Sequence, residues 1–222
     1  MADGPQLELA PRAVHVWRAD LASVREELTA LLSHSERARG MRFPTRSKGR
    51  LWARGRAVLR ALIGRYLERD PRTVSFGAGP HGKPGLLDEP SLHFNMSHSG
   101  GVALYGFTTT GPIGVDVELA RKPIPTLALA ERAFGPVEAK RLRLLDPGGR
   151  EQEFLRAWVR REAELKRLGG ALADPLPANR APEPAPWIAD VEMGPAGAAA
   201  VALGAAPTEL RCWDLPGESL PA

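Results

Sequence analysis

Two short segments constrain this chain more than any others: Gly114-Val115-Asp116-Val117-Glu118 and Trp158-Val159-Arg160-Arg161-Glu162-Ala163-Glu164-Leu165-Lys166. The first alternates valine with acid. A strand there puts Val115 and Val117 on one face and Asp116 and Glu118 on the other. The second sets Glu162 and Lys166 four apart, on one face of a helix. A fold that brings strand and helix together assembles three carboxylates and one cation. Such a cluster suits Mg²⁺ holding a diphosphate. Taken alone, each piece has a plainer explanation: acids on the wet side of an edge strand, and charges on the wet side of a helix.

The rest of the chain supplies the frame for such a meeting. His15-Val16-Trp17-Arg18 reads as an opening strand, with helical sequence from about Leu21 to Ser35. Residues 50–67 carry an apolar stripe of Leu51, Val58, Leu59, Leu62, Ile63, Tyr66 and Leu67, edged by Arg50, Arg54, Arg56 and Arg60, and predict a helix that stops at Asp70-Pro71. A Gly/Pro-rich loop leads to two strand-like runs, Leu92–Met96 and Val102–Phe107. Gly111-Pro112 turns the chain into the strand bearing Asp116. Helical sequence resumes near Pro125 and again from Glu151 to Leu168, residues 174–186 form a proline-rich irregular connection, and Trp187–Met193 with Ala198–Leu203 predict a closing hairpin. Strand, helices and strands thus recur roughly twice, which predicts an α/β (α+β) chain of two halves, residues 1–112 and 113–222.

Composition excludes several classes. A 43% hydrophobic content argues against disorder, and no apolar run is long enough to span a membrane. The N-terminus, with Asp3 and Glu8, does not resemble a signal peptide. The single cysteine, Cys212, excludes an intrachain disulfide framework and a multi-cysteine zinc site, and a cytoplasmic protein is expected. The net charge of +4 is modest, but residues 37–72 hold twelve Lys/Arg against Glu68 and Asp70. That field would attract nucleic acid, a membrane surface, an acidic protein or a phosphorylated cofactor.

Between the two central strand-like runs lies Asn95-Met96-Ser97-His98-Ser99-Gly100-Gly101, read as a polar, glycine-closed loop able to line a pocket. His98 there can bond a phosphate or move a proton. His81-Gly82-Lys83-Pro84 reads as a constrained turn displaying a cation.

With these residues assembled, the chain resembles the 4′-phosphopantetheinyl transferases of the larger, pseudo-dimeric, surfactin-synthetase-activating class. Gly82-Lys83-Pro84, Phe94–Ser99, Gly114–Glu118 and the Trp158…Arg161-Glu162…Lys166 block carry the resemblance, in order, across roughly residues 12–205. It implies two similar α/β halves related by pseudo-twofold symmetry, with the active site between them. It further implies transfer of the phosphopantetheine arm of coenzyme A to a serine of an apo acyl or peptidyl carrier protein, releasing adenosine 3′,5′-bisphosphate. Asp116, Glu118 and Glu162 would bind Mg²⁺ or Mn²⁺; Glu162 would accept the serine proton; Lys166 and His98 would serve the reacting phosphates. Arg50, Lys83, Ser97, His98, Asp116 and Lys166 would contact coenzyme A. Apolar patches near residues 135–145 would meet the carrier. The chain is too long for the smaller homotrimeric acyl-carrier-protein synthases, so a monomer is expected, without nucleic acid or membrane as partner. The family helix usually has lysine before the metal-binding glutamate; here it is Arg161, which keeps the charge and changes the donor geometry. Two alternatives are a basic nucleic-acid-binding module and a transferase-like protein serving only as an interaction partner.

Overall fold

The computed structural model describes residues 7–79, 83–120, 124–170, 185–194 and 197–215. In chain order the strands are β1 (Ala13–Asp20), β2 (Phe76–Ala78), β3 (Pro84–Leu86), β4 (His93–Ser99), β5 (Val102–Thr108), β6 (Gly114–Leu119), β7 (Trp187–Val191), β8 (Gly197–Leu203) and β9 (Glu209–Leu215). The α-helices are α1 (His34–Met41), α2 (Arg46–Tyr66), α3 (Thr126–Phe134), α4 (Pro136–Arg143) and α5 (Pro147–Arg167). Among the described residues no helix is long and apolar enough to cross a membrane.

The strands form three sheets, ordered β4-β5-β1-β9, β2-β3 and β6-β8-β7. All neighbours are antiparallel except β1 and β9, which run parallel. Strand alternation explains how the two larger sheets stack. Trp17, Ala19, Ala103, Tyr105 and Phe107 face a core shared with α2, through Val58, Leu59, Leu62 and Ile63. Val14, Val16 and Leu104 face the other way and meet Val115, Val117, Val201 and Leu203 of the second sheet. The outer face of that sheet presents Ala198, Ala200 and Ala202 to Phe154, Leu155, Val159 and Ala163 of α5. The order is helix, sheet, sheet, helix. β1 is consequently buried on both faces, so its sequence reads as a nearly continuous apolar run.

The helical stretch expected at residues 21–35 is corrected by the structure. It is a 3₁₀ turn at Glu26–Leu31 followed by α1, which starts at His34 because Ser33 and Glu36 close a reciprocal capping box. The polar segment expected as a loop is also corrected: Asn95 to Ser99 lie within β4, and only Gly100 and Gly101 turn. Two elements escaped the sequence reading. The β2–β3 hairpin was hidden in a Gly/Pro-rich stretch. β9 returns from the second half of the chain to pair with β1, so the first sheet takes strands from both sides of residue 112. Most of the proline-rich connection at 174–186 lies outside the described residues, as does His81-Gly82.

His15 illustrates the cost of such packing. It is buried on the α2 side of β1, edge-on to Trp213 of β9, with Nδ1 2.8 Å from Tyr66 Oη. Trp17 Nε1 donates to the same hydroxyl at 2.8 Å. The relay is complete when Tyr66 O–H donates to an unprotonated Nδ1, which is the neutral imidazole. Burial, aided by Arg211 and opposed by Glu209, lowers the His15 pKa to about 4. Its contribution to stability is therefore fully present above the unfolded value near 6.5 and lost as pH falls from there towards about 4, by up to ~3 kcal/mol. Urea unfolding at pH 7.5 and 4.5 checks this: the gap between the wild type and His15→Gln is expected to narrow markedly at the lower pH.

Candidate active site

β4 is stitched to β6 by three alternate side chains on one face. Asn95 Oδ1 accepts from Val115 N at 2.9 Å, Ser97 Oγ donates to Asp116 Oδ1 at 2.8 Å, and Ser99 Oγ donates to Glu118 Oε2 at 2.8 Å. Asp116 and Glu118 consequently stand on the β6 face opposite Val115 and Val117, as the alternation requires. α5 crosses that face. Its apolar side packs down through Val159 and Ala163, and the row Trp158, Glu162, Lys166 follows at four-residue spacing. Trp158 packs against Phe154 and Phe134 and is structural. Lys166 Nζ reaches Asp116 Oδ1 at 2.6 Å and Ser97 Oγ at 2.8 Å, closing a triangle of lysine, serine and aspartate.

Close approach of β6 to α5 depends on Gly114. A Cβ at this position would lie 1.9 Å from the Ala163 carbonyl oxygen and 2.5 Å from Arg167 N. The stripe of alanines on β8 serves the same end, letting the helix settle low enough for a lysine side chain to reach the strand.

The electrostatics of the centre are those of crowded acid. Burial raises the pKa of Glu162, and the charges of Asp116 and Glu118 raise it further, against Lys166 and Arg161. Glu118 is raised for the same first reason, with Asp116 adding and the Ser99 hydrogen bond and Lys166 opposing. As the side chains stand, no three acid, imidazole or thiol groups among the described residues converge closely enough to hold a metal ion. Two buried oxygens nevertheless lack any partner: Asp116 Oδ2 and Glu162 Oε1. Unpaired buried carboxylate oxygens are donors of the kind an oxygen-seeking divalent cation satisfies.

A cleft of about 550 Å³ leads to this centre. Its lining includes Ser33, Glu36, Arg39, Trp52, Arg56, Arg60, Phe76, Pro84, Met96 and His98. Burial in the cleft and the Lys166 charge lower the pKa of His98, which favours the neutral ring. Arg56 stacks its guanidinium 3.6 Å above the Phe76 ring, and Arg39 sits 5.5 Å above Trp52. Glu36 receives Arg56 Nε at 2.6 Å, Arg60 Nε at 2.7 Å and the Ser33 N–H at 2.9 Å. Burial alone would raise the Glu36 carboxyl; hydrogen bonds from Arg60, Ser33 and Arg56 together hold it below its ordinary value. Glu36, Arg39, Trp52 and Phe76 were not singled out from sequence, although Ser33-x-x-Glu36 is a legible capping box; the sequence places Arg56 and Arg60 only at the edges of the helix's apolar stripe.

Two expected ligand contacts fall elsewhere. Arg50 lies two residues from Trp52, about 200° around α2, and lines a separate cavity with Arg46, Arg54 and Phe43. Lys83 does not line the cleft; its ammonium is engaged by the backbone carbonyls of Ile113, immediately before β6, and of Lys166 in α5. Of the remaining expected residues, Ser97, Asp116, Glu118, Glu162 and Lys166 are gathered where β4, β6 and α5 meet, whereas His98 alternates to the other face of β4 and lines the cleft beside Met96. Several cations of the basic stretch are already committed within the protein. Arg54 binds the Leu21 and Ala22 carbonyls, and Arg60 those of Pro71 and Val74.

Comparison with known proteins identifies the family. Residues 112–202 match the 4′-phosphopantetheinyl transferase superfamily. The chain is 38% identical over 175 residues to the 4′-phosphopantetheinyl transferase HetI of a Nostoc species, covering 76% of this chain and 74% of that protein. It is 31% identical over 151 residues to the 4′-phosphopantetheinyl transferase Sfp of Bacillus subtilis (68% and 66%). It is 30% identical over 156 residues to the 4′-phosphopantetheinyl transferase AcpT of Escherichia coli (70% and 75%). The chain belongs to the 4′-phosphopantetheinyl transferase superfamily.

Proposed function

We propose that this protein moves the 4′-phosphopantetheine arm of coenzyme A onto a serine hydroxyl of an apo acyl or peptidyl carrier protein. The observation that carries the reading is the Lys166–Ser97–Asp116 triangle beside Glu162, set at the end of an arginine-lined cleft. The cleft suits the nucleotide end of coenzyme A: Arg39 and Arg56 offer guanidinium donors for phosphate, and Trp52 and Phe76 supply flat apolar surface. His98 and Lys166 then lie towards the pyrophosphate.

In the reaction, the serine oxygen forms a bond to the phosphorus that carries pantetheine. The bond from that phosphorus to the oxygen of adenosine 3′,5′-bisphosphate breaks, and the bisphosphate leaves. The serine proton passes to Glu162, directly or through water; the raised pKa of this carboxyl brings it closer to the working pH of a general base. Lys166 offsets the charge that gathers on the phosphoryl oxygens, and Ser97 and Asp116 hold its ammonium in place. Asp116, Glu118 and Glu162 would hold the divalent cation, Mg²⁺ or Mn²⁺; the unpaired Asp116 Oδ2 and Glu162 Oε1 support this choice of ligands, which must draw closer together to share one ion. When bound, such an ion would supply Lewis-acid polarisation of the phosphoryl group and neutralise the charge that develops on the 5′-phosphate of the leaving adenosine 3′,5′-bisphosphate. A cytoplasmic monomer of two halves, divided near residue 112, is the working form we propose.

Intact-mass analysis of a panel of apo carrier proteins, incubated with coenzyme A and Mg²⁺, tests the proposal. Gain of the phosphopantetheine mass, abolished by EDTA and by Glu162→Ala, supports it. Absence of transfer to every carrier, together with no binding of coenzyme A, would overturn it.

The carrier is expected to dock on α4. Val137 and Leu144 are each 82% exposed and seven residues apart, hence on one side of the helix, with Lys140 and Arg141 between them. Such an apolar pair framed by cations fits an acidic amphipathic helix. Val137→Glu is expected to raise the KM for the carrier by about tenfold or more, equivalent to ~1.4 kcal/mol, with the KM for coenzyme A unchanged. Steady-state kinetics with each substrate varied in turn reads the difference.

A further inference from the structure

The last four carbonyls of an α-helix have no partner within the helix. At the end of α5, Gly169 N bonds the Lys166 carbonyl at 3.2 Å and Gly170 N bonds the Leu165 carbonyl at 2.9 Å, with Gly169 at φ +76°. A side chain from a distant part of the chain completes the cap. Lys83 Nζ donates to the Lys166 carbonyl at 2.6 Å and lies 3.5 Å from that of Arg167. It also donates to the Ile113 carbonyl at 2.9 Å, immediately before β6.

Lys83 itself is fixed at the loop end of the β2–β3 hairpin, where its carbonyl accepts from Gly79 N at 2.7 Å. That hairpin supplies Phe76 and Pro84 to the cleft wall. One ammonium therefore joins the cleft wall, the start of the acid-bearing strand and the end of the helix that carries Glu162 and Lys166. Its three N–H donors face three carbonyls, and its positive charge stands at the negative end of the helix macrodipole. Neutral carbonyls do not compensate a buried cation fully. Burial and the neighbouring Arg167 accordingly lower the Lys83 pKa to about 8.

We propose that Lys83 is a positioning residue for Lys166: it pins the Lys166 main chain against the start of β6, so that the Lys166 side chain meets Asp116 and Ser97. This rests on the reading of the centre as a transferase site. It departs from the expectation that Lys83 contacts coenzyme A, because a phosphate can take this ammonium only by displacing the helix cap. The two roles differ in which kinetic constant they set. A ligand contact sets affinity for the nucleotide, whereas a strut behind Lys166 sets the rate of the chemical step.

Lys83→Met keeps the apolar stem and removes the donors; Lys83→Gln, which retains an amide donor, takes its place if the first variant does not fold. Three readouts are taken: transfer kinetics, calorimetric affinity for adenosine 3′,5′-bisphosphate, and amide hydrogen exchange at Leu168 to Gly170. The expected result is a kcat lowered about 10- to 100-fold, as small misplacement of a reacting group produces. The KM for coenzyme A and the bisphosphate affinity stay within about threefold, and exchange at the end of α5 speeds up. Bisphosphate binding weakened tenfold or more with unchanged kcat would assign Lys83 to the ligand and overturn the proposal. Unchanged exchange at the helix end would overturn it as well. Should the wild type transfer to no carrier, binding and exchange still decide the role of Lys83, separately from the fate of the transferase reading.

Discussion

Gly114→Ala is expected to be the most damaging single-methyl substitution at the centre. The added Cβ would stand 1.9 Å from the Ala163 carbonyl oxygen and 2.5 Å from Arg167 N. Both are main-chain atoms of α5, so no side-chain rotation relieves the clash. Either β6 or α5 must shift by about an ångström or more, in a layer packed from both sides by Val115, Val117 and Ala163. Destabilisation of about 3 kcal/mol or more follows, which for a chain of this length lowers the melting temperature by roughly 6–12 °C. Transfer activity falls with it, because the same shift separates Lys166 from Asp116. Gly85→Ala on β3 is the matched control: nothing lies within 4 Å of its added Cβ, and its melting temperature should stay within a degree or two, roughly ±0.5 kcal/mol. Melting curves of the two variants separate a tight approach of backbone from a general intolerance of alanine. Equal curves for Gly114→Ala and the wild type would refute the packing argument.

Glu162→Gln is expected to separate activity from stability. Burial and the charges of Asp116 and Glu118 penalise the ionised carboxylate. The penalty grows as pH rises from the ordinary glutamate range through the raised pKa, and it is complete above that pKa. A neutral amide of the same shape relieves it, so the ligand-free variant should melt at or above the temperature of the wild type. Transfer should nevertheless fall by about 10³-fold, the scale of losing a proton acceptor and a charge from a reaction centre. A further readout needs no carrier: added Mg²⁺ or Mn²⁺ should raise the melting temperature of the wild type and leave Glu162→Gln unmoved. Protons compete with a cation for the same carboxylates. The stabilisation by added Mg²⁺ is therefore expected to weaken as pH falls through the range, above the ordinary glutamate value, in which the cation-free carboxylates take up protons. Transfer by Glu162→Gln within tenfold of the wild type would remove this residue from the chemistry.

The opposing pH dependences of the two buried sites follow from one rule. His15 is held neutral by burial among aromatic rings, so acid removes its contribution. Glu162 and Glu118 are held towards neutrality by burial among other acids, so acid relieves their penalty. The first protects the seam where β9 returns to β1. The second keeps a centre whose ionised acids cost stability, as reactive sites commonly do.

Much of the acidic centre was legible locally. Period-two alternation in residues 114–118 put Asp116 and Glu118 on one face, and four-residue spacing put Glu162 beside Lys166, because both regularities follow from backbone geometry alone. The long apolar stripe of α2 and the closing β7–β8 hairpin were legible for the same reason. The partners of Ser97 and Ser99 were not, since the strand read at Leu92–Met96 runs on to Ser99 where a loop was expected, and the side-chain contacts of β4 with β6 are long-range. Nor could composition divide the basic stretch. Arg50 and Arg56 differ in direction by the turn of the helix, and only the packing of α1, the β2–β3 hairpin and Glu36 decides that one faces the cleft while the other faces away. The sequence by itself determined which residues share a face of each element, for that depends on the 3.6- and 2-residue repeats. Which faces meet, whether Lys83 grips a ligand or a helix end, and where β9 inserts were decided by the tertiary structure, because burial and chain entropy act on the whole fold at once.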